Sequence, residues 1–408
     1  MVAARKKRIL VCDLYLEVGG AERALIGLLE TIDKDKYEVD LFLNQHTGEF
    51  MSLVPDGVNL LPPVAEYTCL LRPVAQIVKE GHIGMAVRRL WGLYRHARYS
   101  RTLSAAQRLC DDSVFQYVAR SVSGGLPDLR GFGRYDLAIS FRMPHNIVLE
   151  KVDATKKICW IHTDYRTVHL NTAIERPVWG AFDHVISISD EVTASFLHLF
   201  PDLKDKMLRI ENILPSKAVI SLASSGFPEG MRREAGQTVL LSIGRYCTQK
   251  KFQDIPVICR GLLDLGLDVC WYIIGYGTEA ETKKITDAIA DCDVAENVVM
   301  LGKKTNPYPY IKACDWYVQP SLFEGKSIAV REAQILHKPV IITDYPTAHS
   351  QIVHGVDGVI VPMPVAECVT GIAAALTSKD LRGIIVNNIS NTDFTSSDEV
   401  EKIYSLIE

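Results

Sequence analysis

Glu324 and Glu332 stand eight residues apart in a segment that runs from Pro320 through Ser321, Gly325, Lys326 and Ser327 to Arg331 and Ala333. An apolar strand pattern ends near Gln319, and Ser327 is a residue type suited to cap a helix that starts there. Free N–H groups and the dipole at such a helix start favour a diphosphate. A carboxylate in the loop, Glu324, can accept hydrogen bonds from sugar hydroxyls. Glu332 lies about 12 Å further along the helix at 1.5 Å of rise per residue, so the pair can hold different parts of one extended ligand. Spacing alone is weak, since glutamates eight apart are common and usually solvated.

Three other segments follow strand patterns in the same half. Gly244-Arg245, with Lys250 and Lys251 beyond, places cations after a turn, where Arg grips phosphate with two nitrogens and Lys acts as a point charge. Gly275-Tyr276-Gly277 is an incomplete dinucleotide fingerprint and marks a close backbone approach, to a ligand or to a neighbouring element. Gly302-Lys303-Lys304 is a loop able to face a nucleobase, or an ordinary turn.

These segments need a scaffold that presents loops in one place. Short β-branched runs alternate with helical stretches throughout, the pattern of parallel sheets with crossover helices. The first half offers strands at 8–14, 38–43, 136–141, 156–161 and 184–189. The second offers 238–243, 269–274, 298–301, 316–319, 339–343 and 358–361. The runs are almost wholly apolar, as strands covered on both faces must be. The expected fold is α/β, two doubly wound Rossmann-like domains facing across a cleft. The expected domains are 1–213 and 214–397, with the joint near 212–225, where the pattern lapses into Pro215, Ser216 and a Ser224-Ser225-Gly226 turn, and a final helix, 398–408, returning to the first domain. Ligands of such sheets bind beyond the carboxyl ends of the strands.

With these motifs in place, residues 238–362 closely resemble the catalytic domain of family-4 retaining glycosyltransferases of GT-B fold, and the rest of the chain resembles them more loosely. Glu324 and Glu332 match the family's E-x7-E motif, with Gly325 and Ala333 beside them. The resemblance implies that Arg245 and Lys250 neutralise the donor diphosphate, that Glu324 contacts the donor sugar and that Glu332 binds the ribose. Amides around Ser327 and Ile328 would cradle phosphate, with Gly244, Gly275, Lys303, Gly325 and Lys326 completing the donor site. In the first half, Gly19-Gly20-Ala21-Glu22-Arg23 resembles the family's glycine-rich turn, and His162, with Asp164 two residues on, stands where members often have a histidine at the donor sugar. A hydrogen-bonded loop histidine is the plainer reading of His162. Two departures concern ligand choice. Gly325-Lys326-Ser327 replaces a Gly-Phe-Gly, and Lys251 stands where many members have glycine.

The implied activity is metal-independent, retaining transfer of a hexosyl or N-acetylhexosaminyl group from a nucleoside-diphosphate sugar, UDP by default, to a glycan or lipid-linked acceptor. No cofactor is expected. Asp291-Cys292-Asp293 is the tidiest D-x-D and sits at a predicted helix end. The alternatives are a sugar-nucleotide epimerase of the same fold and a non-catalytic sugar-binding scaffold. An NAD-dependent oxidoreductase would need a complete G-x-G-x-x-G. The chain's 48% hydrophobic and 23% charged residues are those of a globular protein, and a net charge of −4 gives no sign of nucleic-acid binding. Ten cysteines without zinc or C-x-x-C spacing read as thiols of a reducing compartment. The expected location is cytoplasmic, with peripheral contact to the inner face of the membrane through one segment. There Arg88, Arg89, Arg95, Arg98 and Arg101 interleave with Leu90, Trp91, Leu93, Tyr94 and Tyr99, a mixture suited to anionic lipid. The bland alternative is a solvated helix whose aromatics pack inward.

Overall fold

The computed structural model describes residues 5–142, 144–166, 168–214, 216–394 and 396–408; Pro215, in the expected joint, lies outside them. The chain divides into two compact units, Met1–Ile213 with Ser397–Glu408, and Leu214–Ser396.

The first unit carries strands β1 (Lys7–Asp13), β2 (Tyr37–Leu43), β3 (Val58–Leu60), β4 (Arg134–Ser140), β5 (Asp153–Ile161), β6 (His184–Ser187) and β7 (Met207–Arg209). They form one parallel sheet in the order β3-β2-β1-β4-β5-β6-β7. The second unit carries β8 (Thr238–Ile243), β9 (Val269–Ile274), β10 (Val298–Gly302), β11 (Trp316–Gln319), β12 (Val340–Thr343) and β13 (Val359–Val361). These are also parallel, in the order β10-β9-β8-β11-β12-β13. β3 and β7 add to the expected strands; each has three residues, too few for a hydrophobic period to register.

In both sheets the direction of winding reverses once, between β1 and β4 and between β8 and β11. That reversal leaves a crevice at the carboxyl ends of the two strands, where ligands of such sheets bind. Every residue of β9, β11 and β12 is buried, which explains their unbroken apolar sequences. A polar chain crosses the second core. Trp271 Nε1 donates to Ser242 Oγ (2.9 Å), which donates to the Val318 carbonyl (2.6 Å), tying β9, β8 and β11 together.

Helix Val400–Ile407 packs on the first unit: Tyr404 stacks on Tyr37 with ring centroids 4.6 Å apart, and its hydroxyl accepts the Asp33 N–H at 2.7 Å. Among the described residues no helix is long and apolar enough to cross a membrane.

Candidate functional site

The loops after β8 and β11 flank the switch point of the second sheet, and their side chains interlock. Glu324 is buried, and its Oε1 meets Lys250 Nζ at 2.7 Å and accepts Ser321 Oγ at 2.6 Å. Behind Ser321 the chain continues through Gln319 Nε2 (2.8 Å) and Tyr317, whose hydroxyl donates to Gln319 Oε1 at 2.6 Å. The two loops are also joined by Leu322 N–H to the Gln249 carbonyl (2.8 Å) and Gln249 Nε2 to the Phe323 carbonyl (2.9 Å). Sequence reasoning gave Lys250 and Glu324 separate ligand contacts; the structure pairs them. The stem of Lys250 crosses Gly244, where an added Cβ would lie 3.0 Å from its Cε.

Arg245 is exposed and makes no hydrogen bond or ion pair among the described residues, so its charge remains available to an anion. Lys251 does not join it. Its amine is held by Asp254 (2.8 Å) and the Met363 carbonyl (3.2 Å), and its backbone is left-handed at φ 59. Glycine takes that conformation without cost, whereas a lysine bears roughly 1 kcal/mol, which accounts for the glycine in the resembled family.

The helix after the loop is Ile328–Ile335, as Ser327 suggested, but the Ser327 side chain does not cap it. Instead Ser327 N–H donates to Gln351 Oε1 (2.9 Å), and Gln351 Nε2 donates to the Ser327 carbonyl (2.6 Å). The Ser327 amide expected to face phosphate is thus engaged by the Gln351 side chain. Gly325 and Lys326 lie half-buried between Glu324 and Ser327. Glu332 is fully buried and accepts the Tyr308 hydroxyl at 2.7 Å, so its carboxylate is presented to Tyr308 rather than to solvent.

Gly275 owes its identity to a neighbouring loop: a Cβ there would lie 1.9 Å from the Gly244 carbonyl oxygen. Gly277 packs in the same way on the Tyr246 carbonyl, at 2.5 Å. Lys303 is exposed, its amine 4.9 Å from the centre of the Tyr276 ring. Asp291 ends helix Glu279–Asp291 and Asp293 takes φ 51 in the turn that follows, so the D-x-D is a helix terminus. Among the described residues no three His, Cys, Asp or Glu side chains converge as a metal site.

The first unit has a polar cluster at its own switch point that the sequence did not reveal. Arg142, just beyond β4, reaches Asp13 Oδ1 (2.6 Å), Glu22 Oε1 (2.6 Å) and the Tyr15 carbonyl (2.7 Å). Gly19 caps helix Gly20–Thr31, and an added Cβ would stand 2.3 Å from Glu22 Oε2. Gly19 thus makes room for the carboxylate that Arg142 holds. Burial pushes the Asp13 carboxyl up to about 6 even with the arginine beside it. His162 bonds the Phe141 carbonyl through Nε2 (3.1 Å), so the proton sits on that nitrogen. Burial, then the charge of Arg142, pushes its pKa down to about 3, which makes it a neutral imidazole whose Nδ1 is a buried acceptor without a partner. Asp164 pairs with Arg166.

His145, also pushed down to about 3 mainly by burial, carries a testable pH effect. Its unfolded value is near 6.5, so the stability it contributes is present above that pH and lost as pH falls toward 3. At pH 5 the loss is about 2 kcal/mol. Urea midpoints at pH 7 and pH 5 should therefore fall further apart in the wild type than in His145→Gln. Equal differences would mean that His145 does not titrate this way.

Comparison with known proteins agrees with this architecture. Over 98% of the chain, the structure superposes on HepE from Anabaena in complex with UDP and glucose, at a TM-score of 0.65 and 16% identity, covering all of that chain. A TarM of S. aureus in complex with alpha-GlcNAc-glycerol and UDP gives a TM-score of 0.67 at 13% identity, again over 98% of this chain and all of that one. The fold is GT-B. Residues 228–392, within the second unit, match the family model described as Glycosyl transferases group 1. Two curated relatives are AmsK, the amylovoran biosynthesis glycosyltransferase of Erwinia amylovora, and the N-acetylgalactosamine-N,N'-diacetylbacillosaminyl-diphospho-undecaprenol 4-alpha-N-acetylgalactosaminyltransferase of Campylobacter jejuni. AmsK is 31% identical over 34% of this chain and 35% of its own length. The second is 28% identical over 26% of this chain and 28% of its own length. The matched segments thus span about a third of the relatives' length.

Proposed function

We propose that the protein is a glycosyltransferase that moves a hexosyl or N-acetylhexosaminyl group from a nucleoside-diphosphate sugar to a hydroxyl of a glycan or lipid-linked acceptor, with retention and without a metal. The observation that carries this reading is the Lys250–Glu324 pair beside the unpaired Arg245, on the two loops that flank the switch point of the second sheet. A diphosphate placed there meets Arg245, Lys250 and the first-turn amides at Ile328, which stabilise the leaving group in the role a metal plays elsewhere. Glu324 positions Lys250 and accepts from sugar hydroxyls, while Glu332 with Tyr308 shapes the nucleoside end. The acceptor hydroxyl attacks from the face the diphosphate leaves, and the departing phosphate takes its proton. UDP is favoured because HepE and TarM were solved with it.

A panel of UDP-, GDP- and ADP-sugars tests the donor, since a ligand specific for the folded state raises the melting temperature. A rise with a UDP-sugar, and turnover that survives EDTA, is the expected result. Protection by none of them would remove the donor site, and activity restored only by Mn²⁺ would remove the metal-free mechanism.

The same reading places the enzyme on an anionic membrane surface. Helix Ile83–Ser100 turns Ile83, Val87, Leu90, Trp91 and Tyr94 outward on one stripe, each more than half exposed, while Tyr99 packs inward on Tyr117 and His169. Arg88, Arg95, Arg98 and Arg101 are exposed with it. Arg89 is not part of that surface, because it turns in to the Cys69 and Leu70 carbonyls. Basic residues near anionic lipid contribute about 1 kcal/mol each. Co-sedimentation with phosphatidylglycerol vesicles is expected, weakened by salt and by Trp91→Ser with Arg95→Glu. Wild-type protein left in the supernatant at low salt would point to a soluble acceptor instead.

A further inference from the structure

The first unit has a half-open cavity of about 240 Å³ among helices Ser113–Ser123, Asn146–Lys151 and Thr172–Gly180. A single buried water needs only on the order of 15 Å³, so the space suits a larger guest. Its walls are mixed. Phe115, Leu149, Ile174 and Val178 supply apolar surface. Gln116 and Asn146, 3% and 8% exposed, line it with carboxamides whose Nε2 and Nδ2 are buried and have no hydrogen-bond partner. Leaving such donors unpaired is costly, and a molecule in the cavity that accepts from them would recover that cost. The Gln116 amide is oriented by its own oxygen, which accepts the Asn171 N–H at 3.2 Å. Glu175, 6% exposed, faces the same space, and burial pushes its carboxyl up to about 7.

We propose that this cavity binds a neutral sugar ring, independently of the donor site in the second unit. A hydroxyl can accept from Gln116 or Asn146 through its oxygen and donate its proton to Glu175. Several hydroxyls fixed on one rigid ring satisfy all three, and the ring's C–H faces lie on the apolar walls. A phosphate fits poorly, because the cavity's cation, Arg120, is exposed at the rim while Glu175 is buried inside.

Saturation-transfer NMR on the full chain tests this with methyl α-glucoside, methyl α-galactoside, N-acetylglucosamine and N-acetylgalactosamine, using glycerol and inorganic phosphate as controls. At least one sugar should receive saturation and the controls none. Asn146→Leu, which removes an orphaned donor, should weaken that sugar about tenfold, the factor carried by one hydrogen bond. Ala119→Leu fills the cavity and should abolish binding. Melting temperatures near wild type, and an unchanged shift with UDP, would show that both variants are folded. Should Ala119→Leu fail to fold, Asn146→Leu decides alone. Transfer to no sugar, transfer to phosphate in preference, or transfer undiminished in Asn146→Leu overturns the proposal. Loss of UDP protection in the wild type would count only against the donor reading.

Discussion

Lys250→Ala is expected to lower turnover by roughly 10²–10³, the loss that accompanies one preorganised charge stabiliser. It should also destabilise the second unit by about 3–5 kcal/mol, because Glu324 is left charged and buried without its partner. The two effects separate in the double variant Lys250→Met with Glu324→Gln. Its neutral amide can still take the Ser321 hydroxyl, so the melting temperature should recover while the rate does not. Arg245→Ala provides the contrast: exposed and unpaired, it should cost a similar factor in rate with almost no change in melting. Kinetics with the most protective donor, alongside calorimetry, would check all three. A Lys250→Ala enzyme that melts early yet turns over normally would make the pair purely structural.

Arg142→Ala should be the most damaging single change in the first unit. It abandons two buried carboxylates at once, Asp13 and Glu22, and frees the Tyr15 carbonyl. A loss of about 3–5 kcal/mol is expected from one uncompensated buried charge alone. The pH dependence gives a second signature. The Asp13 carboxyl is already pushed up to about 6, above its unfolded value near 3.9, so its stabilising form is the protonated one, present at low pH and lost as pH rises through the folded value. Without the arginine the folded value climbs further. The variant should therefore regain stability between pH 7 and pH 5 relative to wild type, measured as urea midpoints. Identical midpoints at both pH values would show that the network holds nothing in place.

Much of the second unit was legible because its strands are buried on both faces and read as unbroken apolar runs. The members of its site were legible one at a time, as charged or glycine residues directly after those runs. Their pairing was not, since Lys250 and Glu324 are 74 residues apart and nothing local requires them to meet. Arg142 was not legible for a similar reason: a lone arginine after a strand has the signature of any surface cation, and Asp13 and Glu22 are 129 and 120 residues away in sequence. Gly275 was legible only as a close backbone approach, to a ligand or to a neighbouring element, and the Gly244 backbone occupies the space a side chain would need. The orientation of helix Ile83–Ser100 was hidden because its more apolar stripe is the outer one. Gly92 lies on the packed side, where an added Cβ would come within 2.8 Å of the Tyr117 carbonyl. Close approach between backbones, rather than hydrophobicity, selects that face.

The return of Ser397–Glu408 to the first unit makes the second unit an insertion in the covalent chain. During synthesis Leu214–Ser396 must be made after Ile213 before the segment that completes the first unit can emerge. At about 5–20 residues per second that interval lasts on the order of ten to several tens of seconds. Throughout it the face of Tyr37 that will stack on Tyr404 is bare, and the Asp33 N–H lacks its hydroxyl acceptor. The second unit, continuous in sequence, can close around its own sheet first. A nascent chain stalled just short of helix Val400–Ile407 would thus carry a finished second unit joined to an unfinished first one, the form most exposed to chaperones and proteases.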